Sequence, residues 1–225
     1  VATALPQILS TLRAAAEAAG RAPPRLLAVS KTQPAEAVAA LAAQGQRAFG
    51  ENYVQEALAK MQALQHLDLE WHLIGHLQSN KAEAVATHFD WVQSVDRPKL
   101  VTALARHRPA ARGALNVLIQ VNIDDESSKH GCAPEDVQAL AEAIAAEPGL
   151  RLRGLMAIPA PWPEADRRRD AFVRMRTLFQ TLADRFPQVD TLSMGMSSDY
   201  TDAIAEGATL VRIGTALFGA RPRPA

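Results

Sequence analysis

Eight short apolar runs recur along this chain, separated by stretches of helical periodicity, and that alternation restricts the fold more than any other feature. The runs are RLLAVSK (25–31), RAFG (47–50), EWHLIG (70–75), DWVQSV (90–95), LNVLIQVNI (115–123), RLRGLMAI (151–158), DTLSMG (190–195) and LVRIG (210–214). Helices are expected over 34–44, 52–64, 80–87, 97–107, 134–146, 164–185 and 197–206, after an alanine-rich opening helix over 2–19. Pro34, Pro98 and Pro134 stand at expected first-turn positions, where a missing N–H costs nothing. Such alternation implies parallel strands joined by helical crossovers. Eight strands within 225 residues fit a closed α/β architecture, a single (β/α)8 TIM barrel with an additional N-terminal helix. The competitor, an open doubly wound sheet, usually has fewer strands and often a glycine-rich first turn. No linker interrupts the pattern, so one domain spanning 1–225 is expected.

The run at 115–123 orients the barrel. Val117, Ile119, Val121 and Ile123 form one apolar face, which should meet the surrounding helices. Gln120 and Asn122 then point inward near the C-terminal mouth, where this fold builds its sites. The segment DDESSKHG (124–131) that follows is the longest polar connection, either a solvated loop or a cover over the site. Cys132, the sole cysteine, excludes an internal disulfide and suits a reducing compartment. Lys and Arg total 24 and so do Asp and Glu, so the balance gives no electrostatic reason to expect nucleic acid or an anionic membrane as partner. No apolar run approaches the ~20 residues of a membrane helix, and the opening VATALPQILS lacks the pattern of a secretory signal. A cytoplasmic protein is expected.

Four segments carry residues with chemical potential. Lys31 closes the first run on the face of Leu27 and Val29, where it either snorkels outward or presents a desolvated amine at the mouth, suited to attack an aldehyde. In LVRIGTALFG, Arg212 and Gly214 share a face, and the Gly214–Thr215 turn offers backbone N–H groups to a phosphate. In TLSMGMSSDYTDAI, Ser193, Ser197 and Ser198 offer hydroxyls, Gly195 permits a sharp turn, and Asp199 or a serine can cap the next helix. Asn52 directly follows the second strand, and His72 lies inside the third, either beside a planar cofactor or hydrogen-bonded within the core. His76 lies four residues beyond His72, but across a strand end and without a carboxylate at zinc spacing, so no metal is expected. RRRD (167–170) reads as a solvated helix face among acidic neighbours.

Together AVSKTQP, FGENYVQE, WHLIGHLQSNK, VNIDDESSKHG, GLMAIP, LSMGMSSDYTDAI and VRIGTALFG resemble the pyridoxal phosphate homeostasis protein family, whose fold resembles the N-terminal barrel of alanine racemase. The resemblance implies that Lys31 holds pyridoxal 5'-phosphate (PLP) as an internal aldimine and that Arg212 faces the pyridine nitrogen. It implies that Ser193, Gly214 and Thr215 hold the phosphate, with Ser197 the alternative to Ser193. Asn52 and His72 complete the expected cofactor contacts. An arginine cannot stabilise a proton on the ring nitrogen, which leaves the cofactor a weak electron sink. The sequence given ends at FGARPRPA without the racemase's C-terminal domain, and racemisation needs bases on both faces. The implied role is therefore binding, buffering or delivery of PLP in vitamin B6 homeostasis by a non-catalytic monomer, with PLP-dependent apoenzymes as acceptors. The alternatives are a weak PLP-dependent racemase or related enzyme, a Schiff-base aldolase, and a cofactor-free interaction protein.

Overall fold

A computed structural model describes residues 4–127 and 129–219, and in it the eight apolar runs become eight parallel strands. They are β1 (Arg25–Val29), β2 (Ala48–Glu51), β3 (Glu70–Leu73), β4 (Trp91–Val95), β5 (Leu115–Val121), β6 (Leu150–Ala157), β7 (Thr191–Ser193) and β8 (Leu210–Ile213). Each pairs with the next, and β8 returns to β1 with Leu27 opposite Arg212, so the sheet is a closed barrel. Closure leaves no strand edge to protect.

The helices are α1 (Ala4–Ala18), α2 (Ala35–Ala43), α3 (Val54–Ala63), α4 (Ala82–His88), α5 (Pro98–His107), α6 (Val137–Ala145), α7 (Ala165–Arg185), α8 (Tyr200–Ala205) and α9 (Thr215–Phe218). Pro98 opens α5 at its first turn, while Pro34 stands just before α2. The longest helix carries the expected apolar stripe: on α7, Phe172, Met175 and Leu182 are buried, with Leu178 and Phe179 packed beside them. No helix among the described residues is long and apolar enough to cross a membrane.

Strand alternation sorts the core into two layers. Outward residues such as Val117, Ile119 and Val121 pack with the helices, as expected for β5. Inside the barrel are two separate apolar groups. Leu27, Ala48, Ile74 and Leu210 form one, and Trp91, Leu118 and Met156 the other. Buried polar side chains also lie on the barrel strands, among them His72 on β3, Gln93 on β4, Ser193 on β7 and Arg212 on β8.

Boundaries differ from expectation where turns intrude. β1 ends at Val29, not at residue 31, because Thr32 adopts φ +64° and reverses the chain, so Lys31 sits in a turn beyond the strand. β5 ends at Val121, because the Asn122 side chain accepts from the Glu126 N–H and donates to its carbonyl, folding the chain into the polar loop. The helix expected from 197 starts at Tyr200, since 196–199 form a turn, and the strand-to-helix turn expected at Gly214–Thr215 opens the short α9.

Candidate functional site

The turn that carries Lys31 is clamped on both sides. Lys60 of α3 donates to the Ser30 carbonyl at 2.6 Å, and the Thr32 N–H donates to the Glu56 carboxylate. Lys60 also bridges Glu51 at 2.6 Å and Glu56 at 2.8 Å. Glu51 is fully buried, and that burial pushes its carboxyl up to about 7 despite the opposing pull of Lys60. A half-buried lysine thus sits on a rigid pedestal at the mouth of the barrel.

Facing it are the turns after β7 and β8. A cavity of about 270 Å³ opens between Lys31, Ser197, Ser198, Arg212, Gly214 and Thr215. Gly195, at φ +99°, lets the chain leave β7 sharply, and a side chain there would meet Ala203 at 2.7 Å. The Asp199 carboxylate accepts from the Met196 N–H at 2.7 Å, bracing the turn that presents Ser197 and Ser198. Gly214 packs its Cα against Val29, where a Cβ would come within 3.1 Å of the Val29 carbonyl. In α9 beyond it the first internal hydrogen bonds run from the Leu217 and Phe218 N–H groups to the Gly214 carbonyl, so the Thr215 and Ala216 N–H groups precede them. Two cations, three hydroxyls, a glycine turn and no carboxylate among the described lining residues suit a phosphorylated, anionic ligand.

Arg212 is the buried wall of this cavity, only 3% exposed. It donates to Ser193 Oγ at 2.6 Å and to the Ala157 carbonyl at 2.9 Å. Burial lowers it to about 10, so it remains a cation at neutral pH. Ser193 Oγ in turn donates to Gln93 Oε1 at 2.7 Å, and Gln93 Nε2 meets His72 Nδ1 at 2.9 Å. His72 Nε2 meets Glu70 Oε1 at 2.7 Å, and Arg25 pairs with the same oxygen at 3.0 Å. The His72 ring stacks on Trp91 with centroids 5.0 Å apart, and burial holds its pKa below the ordinary value.

Of the residues singled out in the sequence, Lys31, Ser197, Arg212, Gly214 and Thr215 converge on the cavity. Ser193 and His72 do not line it. Both are fully buried, with Ser193 Oγ and both His72 ring nitrogens occupied by protein partners. Asn52 lies outside the lining as well; its side-chain oxygen is buried without a hydrogen-bond partner. His76 meets His130 rather than His72, the rings stacked 3.7 Å apart at 14°, with Asp96 close enough to complete a trio. The in-plane lone pairs of near-parallel rings run side by side instead of converging, and Asp96 already accepts from Arg97 and from the Gly131 N–H. That trio ties the loop over 124–131, of which Ser128 lies outside the described residues, to the turns after β3 and β4. Gln33, Met196 and Ser198 also line the cavity, and Gln93 links Ser193 to His72. Gln93 was detectable: it stands two residues from Trp91 in DWVQSV, a polar residue on an inward-facing position.

The sequence profile of the alanine racemase N-terminal domain matches residues 4–222. A pyridoxal phosphate homeostasis protein of Pseudomonas aeruginosa is 56% identical over 223 residues, covering 98% of this chain and 96% of that one. This chain belongs to the pyridoxal phosphate homeostasis protein family. Its counterpart from Escherichia coli K12 is 52% identical, with 98% and 97% of the two chains covered. Among solved structures, PipY of Synechococcus elongatus, determined with PLP bound, superposes with a TM-score of 0.85 at 39% identity, covering 97% of this chain and 99% of PipY.

Proposed function

We propose that this chain binds PLP covalently through Lys31 and serves PLP homeostasis in the cytoplasm without catalytic turnover. The observation that carries this reading is the convergence of a clamped lysine, a buried arginine and the Gly214–Thr215 turn on one cavity. When bound, PLP supplies an aldehyde that an amine captures reversibly. The chain's own residues do the rest. The Lys31 turn is held by Lys60 and Glu56, so its amine approaches from a fixed backbone. Ser197, Ser198 and Thr215, with the backbone of the Gly214–Thr215 turn, supply donors for a phosphate. Arg212 lines the cavity with donors and no acceptor, so it would hold a ring nitrogen in its unprotonated form.

Among the described lining residues Lys31 is the one side chain suited to act as a base, whereas racemisation needs proton removal and return on opposite faces. The name shared by the curated relatives supports the same role. We read the protein as a monomer that releases cofactor to PLP-dependent apoenzymes.

The test is the absorption of purified protein incubated with PLP, followed by borohydride reduction and mass mapping. The expected result is a visible band that reduction removes, leaving a phosphopyridoxyl adduct on Lys31 that is absent from folded Lys31→Ala protein. No uptake by folded wild-type protein would overturn the cofactor reading. Amino-acid racemisation abolished by Lys31→Ala would overturn the non-catalytic one.

A further inference from the structure

The buried polar chain that starts at Arg212 has a single consistent direction. Guanidinium groups only donate, so Ser193 Oγ accepts from Arg212 and turns its own proton toward Gln93 Oε1. The Gln93 amide is thereby oriented, with Nε2 donating to His72 Nδ1. His72 must then carry its proton on Nε2 and give it to Glu70. A flipped Gln93 amide would require a proton on Nδ1. Nε2 would then face the carboxylate with a lone pair unless the ring were charged, and full burial of His72 opposes that charge.

The path spans the barrel. Arg212 lies in the wall of the cavity at the C-terminal mouth, whereas Glu70 is the first residue of β3, partly exposed at the opposite end. Between them the linking side chains His72, Gln93 and Ser193 are all fully buried. Hydrogen bonds shielded from water in this way are stronger and hold their geometry better than exposed ones.

We propose that Glu70, His72, Gln93 and Ser193 form a positioning relay that fixes the Arg212 guanidinium in the cofactor cavity, with Gln93 as pivot and Glu70 as anchor. The proposal rests on the reading that the cavity takes PLP. His72 and Ser193 then act through Arg212, with no contact to the cofactor of their own. A change at the far end of the barrel should therefore reach the cofactor without altering any cavity-lining residue.

The experiment compares full-length wild type, Gln93→Leu, Glu70→Gln and Arg212→Ala. Absorption maximum and Kd are measured with PLP, and the His72 ring-nitrogen NMR signals without it. Wild type should show neutral His72 protonated on Nε2. Q93L should keep that tautomer, because Glu70 still faces Nε2, but should shift the Nδ1 signal as it loses its donor, move the absorption maximum in the direction of R212A, and weaken PLP binding about tenfold, the scale of one buried hydrogen bond. E70Q keeps the hydrogen-bond acceptor and removes the charge at a partly exposed position, so it folds even if Q93L does not; it should shift the band in the same direction by less. Unchanged absorption and affinity in E70Q and in any folded Q93L, while wild type carries its adduct on Lys31, would overturn the relay and leave the cofactor reading standing. A wild type that takes up no PLP would overturn both.

Discussion

Lys60 shows how much of this site depends on residues that never touch the cavity. Its ammonium serves Glu51, Glu56 and the Ser30 carbonyl at once, at only 6% exposure. Lys60→Met should therefore cost roughly 3 kcal/mol in urea unfolding, because it strands a buried carboxyl and a carbonyl together. It should also weaken PLP uptake by loosening the Lys31 turn. Glu51 adds a pH signature. Its folded pKa is raised from 4.5 to about 7, so its favourable contribution is full below pH 4.5 and is lost as pH rises through 7. Glu51→Gln should remove that part of the decline in unfolding free energy between pH 4.5 and 7; an identical pH profile in variant and wild type would contradict the assignment. Lys31 and Arg212 were legible in the sequence because a cation at or within an apolar strand is an anomaly that asks for a partner. Lys60 was not, because in VQEALAKMQA it looks like any helix lysine. Its burial arises only when β2 and the β1 turn arrive from elsewhere in the chain.

At the level of elements, β6 is the strand whose geometry is most exacting. Its register against β5 shifts between Val117 and Leu118, and Gly154 takes φ +149° beside that irregularity. A Cβ on Gly154 would lie 1.8 Å from the Thr191 carbonyl, which is backbone of the paired strand β7 and cannot step aside. Gly154→Ala should cost about 4 kcal/mol or prevent folding, since it must part β6 from β7 at the strand that carries Ser193. Gly113→Ala, at φ +72° but in open space, should cost only about 1 kcal/mol. Thermal unfolding of the two variants separates steric exclusion from backbone preference. Strand existence was readable from apolar runs, while strand ends were not. The ends of β1 and β5 are set by Thr32 and by the Asn122–Glu126 pairing, which are local turn choices that hydrophobic periodicity does not encode.

On the scale of the whole molecule, α1 is tied to the site through the end of the chain. Leu5, Leu12 and Ala16 form its buried face, and α1 packs on α8 and α9, the two helices that follow the cavity's turns. Leu12→Ala removes a side chain only 1% exposed and should cost about 3 kcal/mol in urea unfolding. It should also raise the Kd for PLP, because α9 begins at Thr215. Lost stability with unchanged affinity would mean that α1 supports the fold alone. The sequence by itself determined the closed barrel, the opening helix, and the placing of Lys31 and the Gly214–Thr215 turn at its mouth. Each of these follows from alternation and from position at a strand's end, which are properties of neighbouring residues. Only the tertiary structure decided that Ser193 and His72 turn to protein partners and that Gln93 joins them. Those bonds connect residues 19, 100 and 21 positions apart, and which inward side chains meet is set by the register of strands in the closed barrel. Hydrophobic alternation fixes which face a residue takes, but carries no information about its partner across the interior.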